Sequence, residues 1–86
     1  MHLRFTKQFA KQRGRLLSGV KAALNEQLRL FMMDPFYTTL HNHKLHGSYA
    51  DCRSINIGGD IRAVYHLVET DLAEFIAVGT HSELYE

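Results

Sequence analysis

The sequence predicts an α+β fold: a short N-terminal strand, two helices packed on one sheet face, and a three-stranded antiparallel meander. Three observations predict it. Apolar residues recur at helical spacing between residues 6 and 34; polar and apolar residues alternate from Arg53 onward; and glycine or acidic turn signals divide that second half into strands. With 86 residues the chain suffices for one domain, 1–86, which at this size buries only about 60 to 65% of the surface its unfolded form exposes.

Each element follows from a local pattern. His2 to Phe5 alternates polar and apolar residues, as a half-buried strand does, with Leu3 and Phe5 on one face. From Thr6 the period lengthens. Phe9, Leu16 or Leu17, Val20, Leu24, Leu28 and Phe31 fall at steps near three, four and seven, leaving Lys7, Lys11, Gln12 and Arg15 off the apolar stripe. Gly14, within QRGRLLSG, interrupts the stripe, so two helices joined by a tight turn are expected in place of one rod. Pro35 disfavours helical geometry in the residue before it, and the second helix is expected to stop near Asp34. The stretch FYTTLHNHKLHGSYADC has no clean period and reads as an ordered loop holding three of the six histidines. RSINI then alternates, Ile55 and Ile57 against Ser54 and Asn56. GGD supplies two glycines for the positive φ angles of a primed hairpin turn. IRAVYHLV and LAEFIAV make two further strands around a turn at residues 69–71. A sheet of four short strands needs an apolar cover, which the helical stripe provides on one face. The other face is expected to stay open, with the histidine loop and the chain terminus gathered over it.

Composition narrows the class of protein. A hydrophobic content of 45%, 22% charged residues and one proline describe an ordinary globular chain and exclude a disordered one. The one cysteine, Cys52, cannot close an internal disulfide, and no Cys/His spacing marks a zinc site, so a reducing cytoplasm is expected and no metal or cofactor is implied. No apolar run reaches signal-peptide or membrane-spanning length. The net charge of +1 hides an asymmetry: Arg4, Lys7, Lys11, Arg13, Arg15 and Lys21 all precede the first acidic residue, Glu26. Such a block attracts phosphate backbones or an acidic protein partner, and it serves equally as a solvated helix face.

The polar residues expected over the open face are His43, His46, Asn56, Asp60, Arg62, His81 and Tyr85, with Arg53 nearby. They form no serine–histidine–acid spacing, no phosphate-binding glycine loop and no helical HExxH pattern. General acid–base chemistry remains: histidine takes or gives a proton near neutrality, and arginine holds a phosphate through parallel hydrogen bonds. Two histidines and an arginine are the parts needed to cleave RNA through its own 2′-hydroxyl, one group removing the 2′ proton, another protonating the leaving 5′ oxygen, a cation stabilising the phosphoryl charge. Each residue also has a structural reading. Thr80 and Glu83 match a capping box, so that His81 rides on a final helical turn. Tyr85 suits an aromatic lid with its hydroxyl in water, and Asp60 is commonplace after glycines in a turn.

Together HKLHG, CRSINIGGDIRAVY and the terminal GTHSELYE, behind a basic FTKQFAKQ start, resemble the bacterial RelE/ParE toxin superfamily, nearest its YafQ-type messenger-RNA interferases. The resemblance spans nearly the whole chain. It implies the compact fold of these microbial nucleases, a type II toxin encoded beside a small antitoxin, and metal-independent cleavage of translated messenger RNA in the ribosomal A site. Residue by residue, it places the histidine of H-x-L-x-G on His43, the acid after the hairpin on Asp60, the histidine of the G-T-H ending on His81 and the terminal aromatic on Tyr85. The implied roles are His81 as general acid, His43 or Asp60 as base or orienting partner, Arg53 and Arg62 as phosphate clamps, and Tyr85 as a stacking group. His46, Lys44 and Asn56 complete the expected RNA contacts.

This chain departs from the YafQ-type pattern at Asn56, where that pattern has a second strand histidine, and at Ile61, where it has an aromatic. Asparagine cannot shuttle a proton near pH 7. Either His46 or His41 takes over, or turnover is weak or lost. Two other functions suit the same scaffold: a ParE-like inhibitor of DNA gyrase, and a degenerate toxin that only binds its antitoxin.

Overall fold

Thr6 ends the first strand and starts the first helix. In the computed structural model, which describes residues 1–85, β1 (His2–Phe5) runs into Thr6, whose hydroxyl accepts from the Phe9 amide at 3.1 Å and donates to the Ile76 carbonyl at 3.3 Å. One side chain thus caps α1 (Lys7–Gly14) and ties it to the sheet. After residues 15–17, α2 (Ser18–Met33) runs to Asp34 and stops ahead of Pro35, as the sequence predicts. The buried stripe is Phe9, Leu24, Leu28 and Phe31. Leu16, in the turn between the two helices, packs against this core while Leu17 is 78% exposed, so of the two leucines only Leu16 joins the stripe.

The histidine loop has more order than its sequence shows. A single 3-10 turn (Thr38–Leu40), a two-residue strand β2 (His43–Lys44) and a second 3-10 turn (Gly47–Tyr49) lead into β3 (Arg53–Gly58), β4 (Ile61–Glu69), β5 (Leu72–Thr80) and the short helix α3 (His81–Tyr85). The sheet therefore has five strands, not four, in the order β1-β5-β4-β3-β2; β1 is parallel to β5 and the other pairs are antiparallel. A two-residue ladder is too short to show a period, which is why β2 is invisible in the sequence. At the hairpin only Gly59 takes a positive φ, +54°; Gly58 ends β3 opposite Ile61, so one glycine and not two serves the turn.

Aromatic rings join the helices to the sheet. Phe31 meets Tyr65 and Phe75 edge-on, with centroids 4.8 and 5.2 Å apart. Two glutamines add polar ties: Gln12 Oε1 accepts from the Val78 amide at 2.9 Å, and Gln27 Nε2 donates to the Asn56 carbonyl at 2.8 Å. The first meets β5 beyond Phe75, where β1 has ended, and the second meets β3 at the register shift after Asn56, so neither backbone group is left unpaired.

The second sheet face is not bare, contrary to the expectation from sequence. α3 turns back over it, and Leu84 packs on Val64 and Ala77 in a small second core joined by Leu45, Tyr49, Cys52, Ile76 and Tyr85. A five-residue helix with one buried leucine closes part of the face. No helix among the described residues is long and apolar enough to cross a membrane. Glu86, the last residue of GTHSELYE and of the 1–86 domain, lies outside the described residues.

Candidate active site

Strand register brings the site together. On the face away from α1 and α2, His43, Ser54, Val64 and Ala77 stand in one row across four strands; two residues along, Asn56, Arg62 and Gly79 form the next. Side chains directly opposite on neighbouring strands lie about 5 Å apart. β5 ends at Thr80, beside Ile61, so His81 emerges at the rim of these rows. The result is a hollow of about 260 Å³ lined by His43, Leu45, His46, Ser54, Arg62, His81 and Tyr85. Five of the nine residues expected from the sequence line it: His43, His46, Arg62, His81 and Tyr85.

His43 is held from behind. Its Nδ1 lies 2.8 Å from the His41 carbonyl, which can only accept, so Nδ1 carries the proton and the neutral ring keeps its lone pair on Nε2. His41 takes a left-handed conformation, φ +46°, which turns that carbonyl toward the ring. Next to it Asn42 knots the loop: its amide nitrogen donates to the Pro35 carbonyl at 2.8 Å and to the Tyr65 hydroxyl at 2.7 Å, and its oxygen accepts from Arg53 Nε at 2.6 Å. Burial pushes the Tyr65 hydroxyl pKa up. Asn42→Ala strands these partners, and we expect a loss of about 1–3 kcal/mol in urea unfolding together with a displaced His43.

Arg62 is also fixed. Its Nη1 donates to Asn56 Oδ1 at 2.8 Å, to the Gly59 carbonyl at 3.0 Å and to the Ile61 carbonyl at 3.2 Å. One nitrogen of the fork is anchored, while Nε and Nη2 have no partner among the described residues. Asn56 itself does not line the hollow; it orients the arginine that does.

His81 and Tyr85 depend on a cap. The Thr80 amide donates to Glu83 Oε1 at 2.7 Å and the Glu83 amide donates to the Thr80 hydroxyl at 3.2 Å, the reciprocal box that the sequence predicts. Gly79 is buried under Glu83, and a Cβ there would come within 3.0 Å of Oε1. The His81 and Tyr85 rings meet edge-on at 4.8 Å, and Tyr85 meets Tyr49 at 5.8 Å. The Tyr85 hydroxyl is not in water, as a lid would have it, but buried with no partner among the described residues. Hydrogen bonds from the Thr80 amide and hydroxyl hold the Glu83 carboxyl below its ordinary value of 4.5, with a smaller contribution from the Arg15 charge. Those from His66 and then Arg4 do the same for Glu74. A depressed carboxyl stabilises above its unfolded pKa and loses that contribution as pH falls through its folded one. Stability should therefore drop below about pH 4.5, and Glu83→Gln should reduce the slope of Tm against pH in that range.

The remaining predicted residues lie elsewhere. Arg53 faces the helical side, bonded to Asn42 and stacked over Phe36 at 5.1 Å, and with Lys44 it lines a separate hollow that also takes in Cys52 and His66. Asp60 is exposed at the hairpin tip and does not line the histidine hollow. Ser54 is the residue that sequence reasoning passed over: fully buried, its hydroxyl has no partner among the described residues. Only its place opposite His43 could have marked it, and that needs the β2 register.

A five-stranded sheet with two helices on one face and a histidine–arginine hollow on the other is the frame of a small toxin. The family model described as the bacterial toxin of type II toxin-antitoxin systems, YafQ, matches residues 1–86, and the chain belongs to that family. No curated protein matches the sequence. Among solved structures it is similar to a copper-bound mutant toxin from Helicobacter pylori, at 30% identity, 99% of each chain covered and a TM-score of 0.79. It is also similar to YafQ from E. coli, at 21% identity, 98% and 97% coverage and a TM-score of 0.80. The E. coli DinJ-YafQ complex matches at 23% identity, 98% and 97% coverage and a TM-score of 0.71. Among the described residues no three His, Cys, Asp or Glu side chains are grouped to hold a metal ion.

Proposed function

We propose that this toxin is a ribosome-dependent endoribonuclease that cleaves messenger RNA through the RNA 2′-hydroxyl. The observation that carries the reading is the shared hollow: two histidines from distant parts of the chain and an anchored arginine open onto one space. His43 presents an unprotonated Nε2 and acts as the base on the 2′-hydroxyl. His81, on the rim, protonates the leaving 5′ oxygen. Arg62 faces the phosphoryl oxygens with its free nitrogens, and Tyr85 stacks on a base or holds His81 edge-on. His46, exposed at the mouth, contacts the strand. Asn56 acts through Arg62. Arg53 and Lys44 meet flanking RNA from the adjoining hollow, and Asp60 contacts it from the hairpin tip. No cofactor enters these steps.

The partner is an antitoxin, as in the E. coli DinJ-YafQ toxin-antitoxin complex. A hollow of about 410 Å³ between α1, α2 and β1 is lined by Phe5, Phe9 and Leu28 and rimmed by Arg13 and Lys21. Apolar walls with a cationic rim suit an acidic amphipathic segment that folds on binding. Expression of the chain alone in a bacterial host should arrest growth and produce new 5′ ends inside translated messages, and His81→Ala should abolish both. Arrest without message cleavage, or accumulation of gyrase-linked DNA breaks, overturns the nuclease reading.

A further inference from the structure

Two hydroxyls in the histidine hollow are buried and have no hydrogen-bond partner among the described residues: Ser54 Oγ and Tyr85 OH. Ser54 is entirely buried, yet it lines the hollow with Tyr85, Arg62, His43 and His81. A buried hydroxyl without a partner loses its hydration and gains nothing in exchange, so two in one hollow call for a common ligand. The surroundings define its charge. Each hydroxyl can donate one hydrogen bond, Arg62 adds the donors that Asn56 and the hairpin carbonyls leave free, and among the described residues no carboxylate lines the space. Donors and a cation with no competing anion make a receptor for an anion.

We propose that Ser54 and Tyr85, beside Arg62, form a phosphate receptor under the floor of the hollow, opened by a small local shift that uncovers the two hydroxyls, and that its occupant is the phosphodiester of the RNA strand. Ser54 then donates to a non-bridging phosphoryl oxygen and Tyr85 to the same oxygen or its neighbour, directly below His43, which β2 sets opposite Ser54. The assignment of the anion to RNA rests on the nuclease reading, whereas the receptor itself does not.

The test is calorimetric titration of the full chain with adenosine 3′-monophosphate, with inorganic phosphate as the parallel probe, alongside thermal melts of the free protein. Ser54→Ala and Tyr85→Phe should each weaken nucleotide binding about tenfold, the scale of one hydrogen bond to a charged group. Ser54→Ala should leave the Tm of the free protein equal or higher, because it removes an unpaired buried hydroxyl without opening a cavity. A residue serving only the fold would show the reverse, a lower Tm and unchanged binding, and that result overturns the proposal, as does a wild-type chain that binds neither probe. Binding of inorganic phosphate as tightly as the nucleotide overturns the assignment to RNA. Loss of binding in Ser54→Ala, in a protein that cleaves no message, upholds the receptor and rejects only the nuclease reading.

Discussion

His81→Ala and His43→Ala are each expected to lower the single-turnover rate of message cleavage on programmed ribosomes by about 10²- to 10⁴-fold, the range supplied by a positioned acid or base. The two losses should differ when the leaving 5′ oxygen of the message is replaced by sulfur, which departs without needing a proton: His81→Ala should recover on that substrate and His43→Ala should not. The His43 assignment rests on Nδ1 being committed to the His41 carbonyl at 2.8 Å, which leaves Nε2 free. Recovery of His43→Ala in place of His81→Ala would reverse the roles, and an unchanged rate in either variant would remove that histidine from the reaction. Both side chains are exposed, so neither substitution should unfold the protein.

Arg62→Ala should lower kcat by about 10²- to 10³-fold, as removal of one charge-stabilising donor does at other sites, with a smaller effect on KM. Arg62→Lys should recover little of this. A lysine ammonium cannot anchor one nitrogen to Asn56, Gly59 and Ile61 while offering a second donor in a fixed plane. Asn56→Ala should fall between, about tenfold down, since two of the three acceptors remain. The ordering of these three variants separates a positioning role for Asn56 from a direct one. If Asn56→Ala were as damaging as Arg62→Ala, the asparagine would itself touch RNA.

Much of the fold was legible because the physics that forms it is local. The helix ends at Thr6 and Asp34, the division near Gly14, the strands around Gly59 and residues 69–71, and the Thr80–Glu83 box all follow from side chains within a few residues of the feature they create. β2 was missed because its two residues carry no period, and the cover on the second face was missed because it depends on one leucine in a five-residue helix. The site divided in the same way. His43, Arg62 and His81 could be named from residue type and from the resemblance, but Arg53 could not be turned to the helical side by any local rule. A one-residue step along β3 sends Arg53 to the helical face and Ser54 to the other, and only the pairing of β3 with β2 and β4 determines what each then meets.

The sequence by itself determined the order of elements, the apolar stripe that seals one sheet face, the cationic start and the supply of imidazole and guanidinium groups, since these are fixed by composition and short-range periodicity. Tertiary structure alone decided that His43 and His81, 38 positions apart by their own numbering, share one hollow, that Asn56 holds Arg62, and that the Ser54 and Tyr85 hydroxyls are buried with no partner among the described residues. Strand register and the return of α3 over the sheet bring about those meetings, and both are set by long-range pairing and burial that no window of a few residues contains.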